Sequence, residues 1–250
     1  MNRVRLGADD VLPITRVRAG DLAPRVLVAG DPARVERIAS RLDGARRVGA
    51  NREYVTWTGS FRGVEVSVAS HGIGSAGAGI AFEELCRAGA ERIIRVGTAG
   101  GLQPDVRDGA LVVATAAVRG DGLSQRLVPV EYPAVADPSI VLTLEAEART
   151  TGLDVQRGIV LTADNFYPSP VFPNDQPMWR DAGVVAVEME VAALLTVASL
   201  NGVAAGAILA IDGNPLADAD ESMVGYEPFR DIVDRAVDGT IDAALAALVA

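Results

Sequence analysis

Short unbroken apolar runs alternate along this chain with longer segments in which apolar positions recur every three or four residues, a pattern that predicts strands and helices in turn. Val26, Leu27, Val28 and Ala29 form the first such run and end in Gly30. Asp31 and Pro32 follow as helix cap and first helical residue, after which Val35, Ile38, Ala39 and Leu42 keep helical spacing. Residues 54–61 and 64–70, joined by Arg62-Gly63, predict a hairpin. Residues 75–87 predict a helix of small residues, 93–97 a buried strand that breaks into a glycine turn, and 111–118, 158–163, 184–187 and 207–211 further strands. An amphipathic helix at 232–249 closes the chain. Strands alternating with helices imply an α/β fold with a sheet covered on both faces, and the hairpin makes that sheet mixed. A chain of 250 residues with 49% hydrophobic content can bury one large core, so a single domain over residues 1–250 is expected.

Two stretches depart from that rhythm. Residues 191–211 carry no charge and match the length of a membrane span, roughly 20 residues. Asn201-Gly202 is a helix stop in the middle of it, so a core helix followed by a core strand is predicted instead. Residues 171–177, with two prolines, Asn174 and Asp175, read as a loop able to form a wall or lid over a site.

Composition narrows the chemistry. All 23 basic residues are arginine, which excludes a P-loop lysine, a lysine Schiff base and a lysine-bound pyridoxal cofactor. The chain has one cysteine, Cys86, and one histidine, His71, which leaves no internal disulfide and no Cys/His zinc cluster. Cys86 reads as a small buried hydrophobe and His71 as a hydrogen-bonded core group. No metal site is expected, and catalysis falls to carboxylates, arginines and backbone amides. A net charge of −10 argues against nucleic acid or an anionic membrane as partner and points the arginines at small anions. The first 13 residues lack an apolar core, so no secretory signal is expected and the cytoplasm is the expected compartment.

Polar groups cluster just past the ends of the predicted strands, where open α/β sheets bind ligands. Arg95, followed by Gly97, Thr98, Gly100 and Gly101, offers a guanidinium, a hydroxyl and exposed amides to a phosphate. Gly30 with Arg34, the Glu188-Met189-Glu190 triplet and Asp212-Gly213-Asn214-Pro215 occupy equivalent places. Each has a structural alternative: Glu190 as a helix-dipole partner, Asp212 as a turn residue, Phe166-Tyr167 as core packing.

Taken together and in order, these signals resemble the nucleoside phosphorylase family, which includes hexameric purine nucleoside phosphorylases and uridine phosphorylases. The likeness is nearest to the protozoan-parasite purine enzymes, through Asn51-Arg52-Glu53-Tyr54, Ser70-His71-Gly72-Ile73-Gly74-Ser75-Ala76-Gly77, Phe82-Glu83-Glu84-Leu85-Cys86 and Ile211-Asp212-Gly213. It implies a single-domain, three-layer fold with a central mixed β-sheet flanked by helices, and phosphorolysis of a nucleoside. By that resemblance, the Gly30 amide, Arg34, Arg95 and Thr98 hold inorganic phosphate, with Arg52 reaching in from a neighbouring subunit of a homo-oligomer, a hexamer built as a trimer of dimers. Ile73, Phe166, Val187, Met189 and Glu190 surround the nucleoside, with Glu190 on the ribose hydroxyls and Phe166 stacked on the base. Asp212 is the acid that lets the base leave neutral. No cofactor is implied, since phosphate is itself the co-substrate.

Two departures from the family bear on substrate. The uridine enzymes read uracil with a glutamine and an arginine just after the Phe-Tyr-Pro segment, where this chain has Pro170 and Phe172, and that favours a purine, with 6-oxopurines preferred by resemblance. The family histidine that reaches a neighbour's 5′-hydroxyl aligns with Ile14, which implies weaker selection for that hydroxyl. Gly120-Asp121-Gly122-Leu123-Ser124 and Tyr132-Pro133-Ala134-Val135-Ala136-Asp137 look as much like the uridine enzymes, so a uridine phosphorylase is the alternative. A hydrolytic nucleosidase and a non-catalytic nucleoside-binding module are further readings.

Overall fold

A computed structural model of the chain describes residues 4, 6–167, 169–216 and 226–250. Residues 1–3 and 5 of the expected signal-free segment, and Pro168 after Phe166-Tyr167, lie outside the described residues. In chain order the first half comprises β1 (Arg25–Ala29), α1 (Pro32–Ala39), β2 (Asp43–Asn51), β3 (Tyr54–Phe61), β4 (Val64–Ser70), α2 (Ser75–Ala88), β5 (Arg92–Gly101) and β6 (Leu111–Gly120). The second half comprises α3 (Gly122–Leu127), β7 (Ala134–Val135), α4 (Pro138–Thr150), β8 (Val155–Ala163), α5 (Gln176–Asp181), β9 (Ala186–Glu188), α6 (Val191–Leu200), β10 (Ala204–Gly213) and α7 (Asp231–Val249).

The strands form one mixed sheet in which β5, β10, β6, β8 and β9 pair in a closed ring, while β1, β4, β3 and β2 extend from β5 as an arm. Closure pairs β5 with β10 in parallel, setting Arg95 beside Ala207 and Thr98 beside Ala210. On the other edge Arg95 faces Val28 of β1. Helices α4 and α7 pack together over β6 and β10, and α2, α3 and α6 form a second group, with α6 against β6, β8 and β10. Helix α1 is tied to α7 by Arg37 with Asp234 and Asp238, and Arg41, just past the helix, adds pairs with Asp238 and Asp242. The result is a central mixed sheet flanked by helices.

Local chemistry explains where elements start. Asp31 caps α1 by accepting from the Ala33 amide at 2.8 Å, with Pro32 first in the helix. Asp137 caps α4 in the same way, through the amides of Ser139 at 2.9 Å and Ile140 at 3.3 Å. The uncharged stretch divides as predicted into α6 and β10 around Asn201-Gly202, and among the described residues no helix is long and apolar enough to cross a membrane.

Two expectations and one structural alternative are corrected. The run from Gly97 to Gly101 is not a turn after a strand, because β5 continues through it, held by β10 as far as Gly100 and by β9 at Gly100 and Gly101. The expected loop at 171–177 ends in a helix, since α5 starts at Gln176 with Pro177 in its first turn. Asp212 is not a turn residue: β10 runs past it, and the register shift between Ile211 and Gly213 places it at a β-bulge. A bulge interrupts the in-out alternation of a strand and re-aims one side chain.

Candidate active site

The site is built around a buried arginine. Arg95 is 4% exposed and pairs through Nη2 with Glu190, and more loosely with Glu188 at 3.6 Å. Its guanidinium lies across Gly97, where a Cβ would fall 1.8 Å from Nη1, so the glycine is required for the arginine to fold back along its own strand. Nε and Nη1 are buried and have no partner among the described residues. Two orphan donors on one buried cation are an unusual expense in a folded protein and mark a place for an acceptor.

The two glutamates divide their duties. Glu188 accepts from the Thr162 hydroxyl at 2.5 Å, the Glu190 amide at 2.8 Å and the Val191 amide at 2.9 Å, thereby closing the N-terminus of α6. The helix-end role is thus Glu188's. Glu190, with its carboxylate on Arg95 and on the Gly74 amide at 2.5 Å, is turned toward the open start of α2, where Gly74 holds a left-handed φ of 88°. Burial pushes the Glu188 carboxyl up. Burial acts on Glu190 as well, but Arg95, the His71 ring and the Gly74 amide together hold it below the usual range.

Asp212 forms the opposite wall. It is 5% exposed, Oδ2 accepts from the Tyr226 hydroxyl at 2.7 Å, and its backbone oxygen accepts from Arg230 at 3.0 Å. Burial raises its carboxyl above the ordinary value, with Tyr226, Thr98 and Arg34 pulling the other way. The Arg34 guanidinium, lowered first by burial and then by the charge of Arg95, has no ion-pair partner among the described residues. Arg34, Arg95, Thr98 and Asp212 therefore converge. Gly30 joins them at the end of β1, where a Cβ would lie 3.7 Å from the His71 ring.

The nucleoside-side candidates are less uniform. Val187 and Met189 are half-buried, with the Met189 carbonyl held by Ser75 at 2.8 Å. Phe166 is 47% exposed, with its ring 5.8 Å from that of Tyr226. Ile73 stands 82% exposed between Gly72 and Gly74, at the rim. Arg52 is not gathered in: it is exposed, has a left-handed φ of 53°, and no hydrogen bond or ion pair ties it to Arg95, Glu190 or Asp212. The neighbouring Asn51 side chain donates to the Ile14 carbonyl at 2.8 Å, so Ile14 and Arg52 share one corner of the chain. Pro170 and Phe172 are exposed. The sequence reading missed Tyr226 and Arg230, which reach Asp212 from beyond a stretch with no strong pattern of its own.

His71 is fully buried, with Nδ1 2.8 Å from the Gly72 carbonyl and its ring edge-on to Phe82. Burial, then Arg95, lowers it to about 3 against an ordinary 6.5, so it is neutral, donates from Nδ1 and leaves Nε2 as a buried acceptor. An unfolded chain takes up this proton below pH 6.5 while the folded one resists until about 3. Stability is accordingly intact above pH 6.5 and falls as pH drops, by up to about 1.4 kcal/mol per pH unit. Urea midpoints measured from pH 7 to 4 will fall more steeply for the native chain than for His71→Gln; equal slopes would refute this assignment. Cys86 is buried on α2. Among the described residues, no group of three or more His, Cys, Asp or Glu is placed to hold a metal ion.

The phosphorylase superfamily model matches residues 24–249. The guanosine phosphorylase of Halorubrum lacusprofundi is 38% identical over 241 residues, covering 94% of this chain and 98% of that protein. The uridine phosphorylase of Thermococcus kodakarensis is 41% identical over 208 residues, 79% of this chain and 75% of that protein. In three dimensions, the purine nucleoside phosphorylase of Toxoplasma gondii, solved in complex with immucillin-H, superposes with a TM-score of 0.90 at 33% identity, covering 97% of this chain and 96% of the other.

Proposed function

The chain belongs to the phosphorylase superfamily, and from that premise we propose that it cleaves the N-glycosidic bond of purine nucleosides, 6-oxopurines foremost, with inorganic phosphate as nucleophile, releasing free base and ribose 1-phosphate. The observation that carries this reading is the pair of orphan N–H donors on buried Arg95, set near Arg34, which has no ion-pair partner among the described residues, and a buried, raised Asp212 carboxyl. A water nucleophile could accept from these donors but brings no charge to meet two arginines, whereas a phosphate oxyanion makes charge-assisted bonds to both.

Each step then has a residue. The Gly30 amide, Arg34, Arg95 and Thr98 seat phosphate and fix its attack geometry, which supplies much of the entropic part of catalysis. Arg52 completes the seat from a neighbouring copy in a homo-oligomer, for which the trimer of dimers is our reading. Glu190 accepts from the ribose hydroxyls, and its negative charge favours the positive character the sugar acquires in the transition state. Phe166 stacks on the base, with Val187 and Met189 against the sugar and Ile73 at the rim. Asp212, whose carboxyl burial shifts upward, is the group that gives a proton to the departing base. Pro170 and Phe172 supply none of the polar contacts expected of a uracil reader, which supports the purine assignment. The 41% identity to a uridine phosphorylase keeps uridine as the competing substrate.

Base release from inosine, guanosine, adenosine and uridine, each with and without phosphate, tests this. The expected result is purine release only when phosphate is present, with ribose 1-phosphate as co-product. Faster turnover of uridine would reverse the base assignment, and hypoxanthine release without phosphate would reverse the reaction class.

A further inference from the structure

Asp212 is held at three points, one of them by a residue outside the strand-end motifs. Its backbone carbonyl is fixed by Arg230, which is itself bound to Asp108 at 2.5 Å. Its carboxyl is touched by Thr98 of β5, and Oδ2 is committed to the Tyr226 hydroxyl at 2.7 Å. The Tyr226 ring lies 5.8 Å from Phe166 at 60°, and a Cβ on Gly213 would lie 3.4 Å from that ring. One aromatic residue therefore meets the acid with its hydroxyl and the Phe166 ring, proposed to stack on the base, in a tilted ring pair.

We propose that Tyr226 is a positioning residue that strengthens Asp212 as an acid toward the leaving base, by holding Oδ2 and stabilising the carboxylate formed when Oδ1 gives up its proton. This rests on the phosphorolytic reading above. As phosphate oxygen bonds to the anomeric carbon, the glycosidic electron pair goes to the base. The Asp212 O–H bond breaks and a base N–H bond forms. The proton that hydrogen phosphate loses on becoming an ester restores Asp212. Throughout, the neutral Tyr226 phenol, pushed up by burial and by Asp212, remains a donor. Its hydrogen bond is weak to the carboxylic acid and charge-assisted to the carboxylate, so it grows along the reaction, which is the condition for lowering a barrier. The groups facing the acid are Tyr226, Arg230, Thr98 and Arg34, with Asp108 behind Arg230.

The test compares native chain and Tyr226→Phe on inosine and on 7-methylguanosine, whose cationic base leaves without a proton. On inosine, kcat is expected to fall about 10- to 100-fold with KM little changed, the value of one hydrogen bond to a charged group. The alkaline limb of its pH profile will move to higher pH, because a carboxyl without this donor is a weaker acid. On 7-methylguanosine, kcat will stay within about threefold. Tyr226→Leu, which also removes the ring from Phe166, adds a rise in KM on both substrates; its absence would refute the base-side contact. Equal loss of kcat on both substrates in Tyr226→Phe, or an unmoved limb, overturns the role of Tyr226 while leaving phosphorolysis intact. No phosphate-dependent turnover of either nucleoside by the native chain overturns both.

Discussion

Replacing Asp212 by asparagine is expected to lower kcat on inosine by about 10²- to 10⁴-fold, the range for loss of a positioned general acid. Asparagine keeps the size of the side chain and can still receive the Tyr226 hydroxyl bond, but it has no proton to give. Activity on 7-methylguanosine should survive far better. The fold should not suffer, and the sign follows from the raised carboxyl: burial makes ionised Asp212 costly in the native state, more than Tyr226, Thr98 and Arg34 repay. At a pH where the carboxylate is charged, the neutral amide escapes that cost, and the variant should melt at or above the native temperature. Steady-state kinetics on both nucleosides, with a thermal melt at pH 8, checks both halves. A variant retaining native kcat on inosine would remove Asp212 from the chemistry. A variant losing activity and melting far below the native chain would make the residue structural.

The second large effect is Arg95→Gln. It strips the partner from two carboxylates that are each 4% exposed, and breaking a buried pair from one side costs about 3–5 kcal/mol. It also removes the donors proposed to hold phosphate, so any folded fraction should show a sharply raised KM for that ion. These consequences can be separated. Adding Glu190→Gln relieves one of the stranded carboxylates, and the double variant should be more stable than Arg95→Gln alone while remaining inactive. Urea unfolding of the native chain, both single variants and the double variant gives the coupling directly. Simple additivity would mean that the Arg95–Glu190 pair carries no net energy. Phosphate saturation at the native concentration in Arg95→Gln would mean that the nucleophile sits elsewhere.

Much of the scaffold was readable because it depends on near neighbours. Val26 to Ala29 followed by Asp31-Pro32 announces a strand and a capped helix, and the structure places β1 and α1 there. The same signal at Asp137-Pro138 starts α4. β2 was missed for a physical cause. Its residues, with Asp43, Arg46, Arg47 and four small residues among them, show no clean alternation, and it is a strand because the β3 edge supplies its hydrogen bonds, with two register shifts.

The site follows the same division. Residue types and their place after apolar runs identified Gly30, Arg34, Arg95, Thr98, Glu190 and Asp212 as a set, because ligand chemistry restricts which side chains can serve and α/β sheets restrict where. The sequence by itself thus determined the alternation of elements, the exclusion of lysine chemistry and the choice of those candidates. Only the tertiary structure decided that β5 and β10, more than 100 residues apart in the chain, close a ring. It alone turned Asp212 inward at a bulge, gave Glu188 rather than Glu190 to the start of α6, paired Arg95 with Glu190, and brought Tyr226 to the acid. Those outcomes depend on desolvation and on contacts between distant segments, whose energies exist only once the chain has excluded water, whereas caps, turns and apolar periodicity act within a few residues.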